Sequence, residues 1–273
     1  MRFWIIICVL GLMLSCGREL PPANSIKLIG HGGEGFSNVS ALYAPNSVGS
    51  MQRALDFYQL DGIEVDVRFT EDSNLVIFHD AHLEASTQCK GRISDVQSTS
   101  IVGCKYRKQF RNDYSQEIIS LDSFIILLNT VWTTEPISIQ VQTAVEDFQG
   151  LYDLAKVYSK RISGIKDKSR IATECNNGNF LYYLRSFGDY ECHLIASIDQ
   201  PSFNNVFGFG VQGIVTKFNE RNYELEKQLK DSGIYITVYG QKITKDFGQY
   251  RYDYIDAVQV DNPVQAIKFY KNE

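Results

Sequence analysis

Residues 62–82 read GIEVDVRFTEDSNLVIFHDAH, and their first six form a strand with two unlike faces. Successive strand side chains point to opposite sides, so Glu64 and Asp66 share one face while Ile63, Val65 and Val67 share the other. Two carboxylates on one face of an otherwise apolar strand are costly to bury unpaired. A divalent cation taking oxygen ligands, Ca²⁺ or Mg²⁺, is the usual compensation. A second apolar run, Leu75 to Phe78, ends in His79-Asp80 and sets an imidazole at a strand terminus. Carboxylates with a histidine in this order point to metal-assisted hydrolysis.

Outward from that segment, short apolar runs recur at Ile26–Gly30, Ile137–Val141, Arg170–Cys175, Cys192–Ile198, Gly213–Thr216, Tyr235–Tyr239 and Ala257–Val260. Helical periodicity fills the intervals: 47–59, 121–131, 148–160, 179–187, 202–207, 221–230, a short helix near Thr244, and 264–270. Eight strand–helix units in strict alternation predict a parallel sheet closed into a (β/α)₈ TIM barrel. An open doubly wound sheet is the alternative, but the turn Gly30-His31-Gly32-Gly33-Glu34-Gly35 does not lead directly into a helix. The interval 80–120 is too long for a plain connection and reads as a small insertion at the barrel mouth.

Composition bounds the rest. The 273 residues are 44% hydrophobic and 22% charged, enough for one large core over 26–273. A net charge of −5 supplies no basic field, so nucleic acid is not an expected partner. Residues 1–16 carry one Arg, an apolar run too short to span a bilayer, and a small residue before Cys16. That pattern resembles a bacterial lipoprotein signal acylated at Cys16; a plain N-terminal anchor or a soluble export signal are the alternatives. In each case the expectation is an exported chain, with the polar stretch 17–25 as a tether and, if acylated, a membrane partner through the lipid. Four cysteines then remain in a disulfide-permissive compartment. Cys89 and Cys104 share one polar loop and are expected to pair. Cys175 ends one predicted strand and Cys192 begins the next, which suggests opposite ends of the sheet and free thiols.

In such a barrel the strand carboxyl ends form the active-site mouth, where His31, Glu64, Asp66 and His79 would converge. A lone histidine ending a strand is more often structural; four such groups together are not so easily dismissed. His82 and His193 are read as a surface and a structural histidine. Phe36, Tyr43 and Tyr239 lie near the mouth and would line a groove for an acyl chain or a sugar.

The order of these pieces resembles the glycerophosphodiester phosphodiesterase family. The matching residues are Ile29-Gly30-His31 with Gly33, Ala44-Pro45-Asn46-Ser47, Gly62 to Val67 with Thr70 and Asp72, and Val76 to Asp80. Weaker likeness follows at Ile236 to Tyr239 and in the closing segment Asp256 to Pro263. The resemblance implies divalent-cation-dependent cleavage of a small phosphodiester or phospholipid head group. Glu64 and Asp66 would hold the cation, and His31 and His79 would act as general base and acid.

Three departures from the family pattern alter that expectation. Gly32 stands where the family has an Arg that clamps phosphate. Gln140 and Gln142 stand where it has a third metal-binding Glu and a phosphate-binding Lys. The family's Glu between Pro45 and Asn46 is also missing. Gln140 still offers a carbonyl oxygen to a cation, and Gln142 an amide to phosphate. Glu174 and Lys217, at later strand ends, are the expected substitutes for the lost ligand and the lost cation, with Glu34 and Arg68 also nearby. Two readings stay open: a phosphodiesterase of altered substrate preference, or a barrel that binds a metal or a phosphate or sugar ligand with little turnover.

Overall fold

A computed structural model describes residues 26–107, 116–241 and 252–271. The signal, the tether, Cys16 and the helix expected near Thr244 lie outside the described residues. Eight parallel strands form the barrel: β1 (Lys27–Gly30), β2 (Gly62–Phe69), β4 (Ile137–Gln142), β5 (Ile171–Cys175), β6 (Glu191–Ile195), β7 (Gly213–Lys217), β8 (Tyr235–Tyr239) and β9 (Ala257–Val260). Pairing runs in that order around the sheet, and the β1–β2 and β1–β9 ladders close it. The open sheet is thereby excluded.

Helices α1 (Val48–Gln52, continued by a π-turn over Arg53–Phe57), α3 (Leu121–Thr130), α4 (Phe148–Ile162), α5 (Gly178–Ser186), α6 (Gln200–Phe209), α7 (Tyr223–Asp231) and α8 (Pro263–Tyr270) cover the outside. Their starts are set by side chains that cap free amides: Ser47, Ser120, Asp147, Asn177, Asp199, Asn222 and Asn262 each accept from an amide of the first turn. Each such cap contributes on the order of 1 kcal/mol. Outward strand residues such as Leu28, Ile63, Val65, Ile139 and Ile214 are fully buried against Met51, Phe124, Leu151 and Phe180 of the helices. Burial of each aliphatic side chain stabilises by roughly 1.5–3 kcal/mol.

The inward face is polar. Register pairs Asp66 with Gln140, Gln140 with Glu174, and Glu174 with His193, which makes one interior layer; Arg68 pairs with Gln142 in the layer above. Across the barrel, Gln259 of β9 reaches Glu174 of β5 at 2.8 Å, so these side chains meet inside.

Strand β3 (Leu75–Ile77) is not part of the parallel set: it runs antiparallel to β2, pairing Val67 with Ile77. His79 therefore reaches the mouth by returning down a hairpin, and Phe78 N–H donates to Asp66 O at 2.9 Å. The insertion that follows is not structureless. It holds two 3₁₀ turns, the short helix α2 (Ser98–Ile101) and its own small core of Phe78, Leu83, Ile93, Ile101, Tyr106 and Ile118. Cys89 and Cys104 form a disulfide there, with Cα atoms 6.1 Å apart. Cys175 and Cys192 are buried free thiols. They are not at opposite ends of the sheet, because Cys192 pairs with Thr173, only two residues from Cys175, on strands just five residues long.

The disulfide spans a sequence separation of 15, which corresponds to about 3 kcal/mol of loop-closure stabilisation. Replacing Cys89 and Cys104 by Ser is expected to raise amide hydrogen exchange across residues 83–106 while barrel strands keep their protection. Uniform loss of protection in β5 to β8 would show instead that the insertion and barrel unfold together.

Candidate active site

His31 follows β1, and its backbone N–H donates to Val260 O at 3.3 Å, which places it beside the end of β9. There Nδ1 meets Asp261 Oδ1 at 2.9 Å, while Nε2 lies 4.0 Å from Glu64 Oε2. With the buried Asp261 as acceptor, Nδ1 carries the proton of the neutral imidazole, which leaves the Nε2 lone pair free in that form. Asp261 was legible in the sequence only as part of the closing segment. Its pairing with His31 depends on closure of the barrel between the first strand and the last.

Glu64 and Asp66 are buried on the inward face of β2. Glu64 Oε2 accepts from Gly32 N–H at 2.9 Å, but Oε1 is buried with no donor. Burial first, then the charges of Asp66 and Glu174, push the Glu64 carboxyl well above the usual carboxylate range. Asn46 grips Asp66 twice: Nδ2 donates to Oδ2 at 2.9 Å and Oδ1 accepts the Asp66 N–H at 2.8 Å. Gln142 Nε2 adds a contact to Asp66 Oδ1 at 3.2 Å. An orphaned carboxylate oxygen beside a second carboxylate fits a hard divalent cation. Glu64, Asp66 and the carbonyl oxygen of Gln140, which pairs with Asp66 in register, would hold it. Among the described residues no three His, Cys, Asp or Glu side chains converge as a metal site.

His79 Nδ1 meets Asp80 Oδ1 at 3.1 Å, and Ser86 Oγ holds the other Asp80 oxygen at 2.9 Å. The hydrogen bond to Asp80 raises the His79 imidazole above its ordinary value, with Asp66 and Asp80 charges adding to the effect against partial burial. Phe36 lies between the two histidines, its ring 4.6 Å from His31 and 5.0 Å from His79. Beside His79 a cavity of about 360 Å³ opens between the β1–α1 loop and the insertion, with Phe36, Leu42, Tyr43, Phe78 and Tyr106 in its wall.

The remaining predicted residues are spread over the barrel. Tyr239, at the end of β8, lies 6.0 Å from the His31 ring. Glu174 shares the carboxylate layer, yet both its oxygens receive the Gln259 amide, at 3.0 and 2.8 Å. Lys217 ends β7, diametrically opposite β2, where its Nζ pairs with Glu220 at 3.2 Å. Glu34 is fully buried and engaged by Arg53 at 2.9 Å and by two loop amides, so it supports the β1–α1 loop. His82 is exposed beside Glu84, and His193 is buried in the barrel, stacked on Tyr235.

The eight-stranded barrel thus holds two carboxylate-paired histidines near a buried Glu–Asp pair. The model of the glycerophosphoryl diester phosphodiesterase family matches residues 39–265, and the chain belongs to that family. Similar folds occur in a glycerophosphodiester phosphodiesterase from Parabacteroides distasonis (18% identity, TM-score 0.71, covering 91% of this chain and 98% of that one) and in one from Agrobacterium tumefaciens (17%, 0.69, 88% and 98%). A phosphodiesterase of Oleispira antarctica in complex with the product sn-glycerol-3-phosphate is similar at 16% identity and TM-score 0.73, covering 93% and 98%. No curated protein matches the chain.

If His79 is a general acid, phosphodiester hydrolysis is expected to fall on the alkaline side as the imidazole loses its proton, above the ordinary imidazole value. Asp80→Asn removes the largest raising influence and shifts that alkaline limb to lower pH. Asp261→Asn is expected to lower kcat about 10²-fold or more without moving that limb, because it frees the His31 tautomer. A pH–rate profile of the two variants checks both.

Proposed function

We propose that this chain is an exported, lipid-anchored phosphodiesterase that cleaves a glycerophosphodiester or a related lipid or glycan head group with a divalent cation. The observation that carries the reading is the pair of histidines, each fixed by its own aspartate, near the buried Glu64–Asp66 pair. His31 Nε2 accepts the proton of the attacking hydroxyl, either water or a hydroxyl on the substrate. His79, as imidazolium, gives a proton to the departing ester oxygen. If the substrate's own hydroxyl attacks, the roles reverse when water opens the cyclic phosphate. Glu64, Asp66 and Gln140 would hold the cation, which when bound supplies Lewis-acid polarisation of a phosphate oxygen. The cavity beside His79 suits the esterified alcohol, and its apolar wall favours one with an alkyl or aryl portion.

A second reading, a barrel that binds metal or a phosphate or sugar with little turnover, draws support from the neutral residues Gly32, Gln140 and Gln142 at the mouth. Turnover separates the two. The mature protein is expected to hydrolyse an aryl phosphodiester with Ca²⁺ or Mg²⁺, to stop in chelator, and to be silenced by His31→Ala or His79→Ala. No turnover with any cation favours the binding barrel.

Cation at about 100 times its Kd stabilises by about 2.7 kcal/mol, a rise of roughly 5–10 °C in Tm for a domain of this size. Glu64→Gln is expected to abolish that rise, and a rise that survives the substitution would remove Glu64 from the ligand set. Cys16→Ser is expected to release the protein from the membrane fraction. Retention there would favour the plain N-terminal anchor.

A further inference from the structure

An anionic substrate meets an unfavourable wall in this barrel. Glu64, Asp66 and Glu174 are fully or almost fully buried in one interior region, and Asp261 closes it at His31. Gly32 and Gln142, both at the mouth, bring no charge. A phosphodiester carries at least one negative charge in the same space, and at short range inside a protein such repulsion is large. Some side chain must offset it.

We propose that Arg68 is the residue that anchors the substrate phosphate, an inference that rests on the phosphodiesterase reading above. Residues 64, 66 and 68 share one face of β2, so Arg68 projects to the same side as the carboxylates, one layer nearer the mouth. Its register partner is Gln142, so the two side chains are neighbours across one parallel ladder. Its Nε donates to His79 O at 2.6 Å, which fixes the guanidinium beside the proposed acid. The terminal Nη groups have no hydrogen-bond acceptor among the described residues, and no carboxylate lies within ion-pair distance of them there. A planar fork with two free donors, held by its third, matches two oxygens of a phosphate.

Two other cations of the barrel and its first loop are committed, and a third sits on the insertion. Lys217 is half-exposed, paired with Glu220, and on the opposite wall. Arg53 is held by Glu34 behind the β1–α1 loop. Arg107 lines the cavity beside His79 from the insertion rather than from a barrel strand.

The test measures binding of sn-glycerol 3-phosphate by calorimetry, with Mg²⁺ or Ca²⁺ present, alongside hydrolysis of an aryl phosphodiester. Arg68→Gln is expected to weaken product binding at least tenfold and to lower kcat/KM about 10²-fold, the size of one lost anion-stabilising donor, with an unchanged Tm. Because positions 68 and 142 are neighbours, Gln142→Lys in the Arg68→Gln background is expected to restore at least tenfold of the binding. A purely structural role for Arg68, through the His79 carbonyl, would not be rescued from position 142. Three outcomes overturn the inference: wild-type-like binding by Arg68→Gln, no rescue by Gln142→Lys, or no binding by the wild type. If the wild type binds the product through Arg68 but hydrolyses no diester, the anchor stands and the hydrolase reading falls. If it hydrolyses and Arg68→Gln does so equally, the anchor falls and the hydrolase stands.

Discussion

The constraint on which the rest of the site depends is the burial of Glu64. Its carboxylate is removed from water with one oxygen satisfied by the Gly32 amide and the other by nothing in the protein. An ionised carboxylate in that state is costly unless it is protonated or faces a cation. The nearest carboxyl, Asp66, makes the cost greater, since its charge further opposes ionisation of Glu64. A barrel core of equal size could be filled with aliphatic side chains at no such cost. The arrangement is therefore unfavourable for stability and intelligible as a site for a positively charged group.

Several neighbouring features follow from holding that carboxylate in place. The Gly32 amide can reach Glu64 because residue 32 has φ of +60°, a left-handed conformation that glycine adopts without strain. A Cβ at position 32 would also lie 2.8 Å from the Phe36 ring and 2.9 Å from the Pro45 side chain. Asn46, with φ of +65°, turns its amide to bind both the backbone and the side chain of Asp66. Thus the loop before α1 orients both carboxylates of β2, and Glu34 with Arg53 braces that loop from behind.

Much of this was legible in the sequence, and what was not has a physical reason. Alternation within Gly62–Phe69 assigns Glu64 and Asp66 to one face, and regular strand–helix alternation fixes the barrel, because both depend on local periodicity. The roles of Asp261 and Asn46 depend on contacts 230 and 20 residues apart in sequence; only barrel closure and loop packing bring them in. The route of His79 was not legible for a similar reason. An apolar run of four residues is compatible with either strand direction, and the antiparallel pairing of β3 with β2 is a tertiary outcome. Glu174 shows the converse: its inward placement follows from parity, but its capture by Gln259 comes from a strand on the far side of the barrel.

The distribution of positive charge in the mouth can be understood in the same terms. Phe36 occupies the space into which a side chain at residue 32 would project, in van der Waals contact range of both histidines. Introducing a guanidinium at residue 32 would therefore require a new backbone conformation as well as displacement of that ring. On β4 the amide of Gln142 is occupied with Asp66. Arg68 needs neither change, because strand parity alone turns it inward and the His79 carbonyl alone steadies it. Arg68 also stands beside His79, so a phosphate held there would lie near the proposed acid and the cavity beside it. If Arg68 anchors the phosphate on that wall, a leaving alcohol would fill the cavity between the loop and the disulfide-bonded insertion.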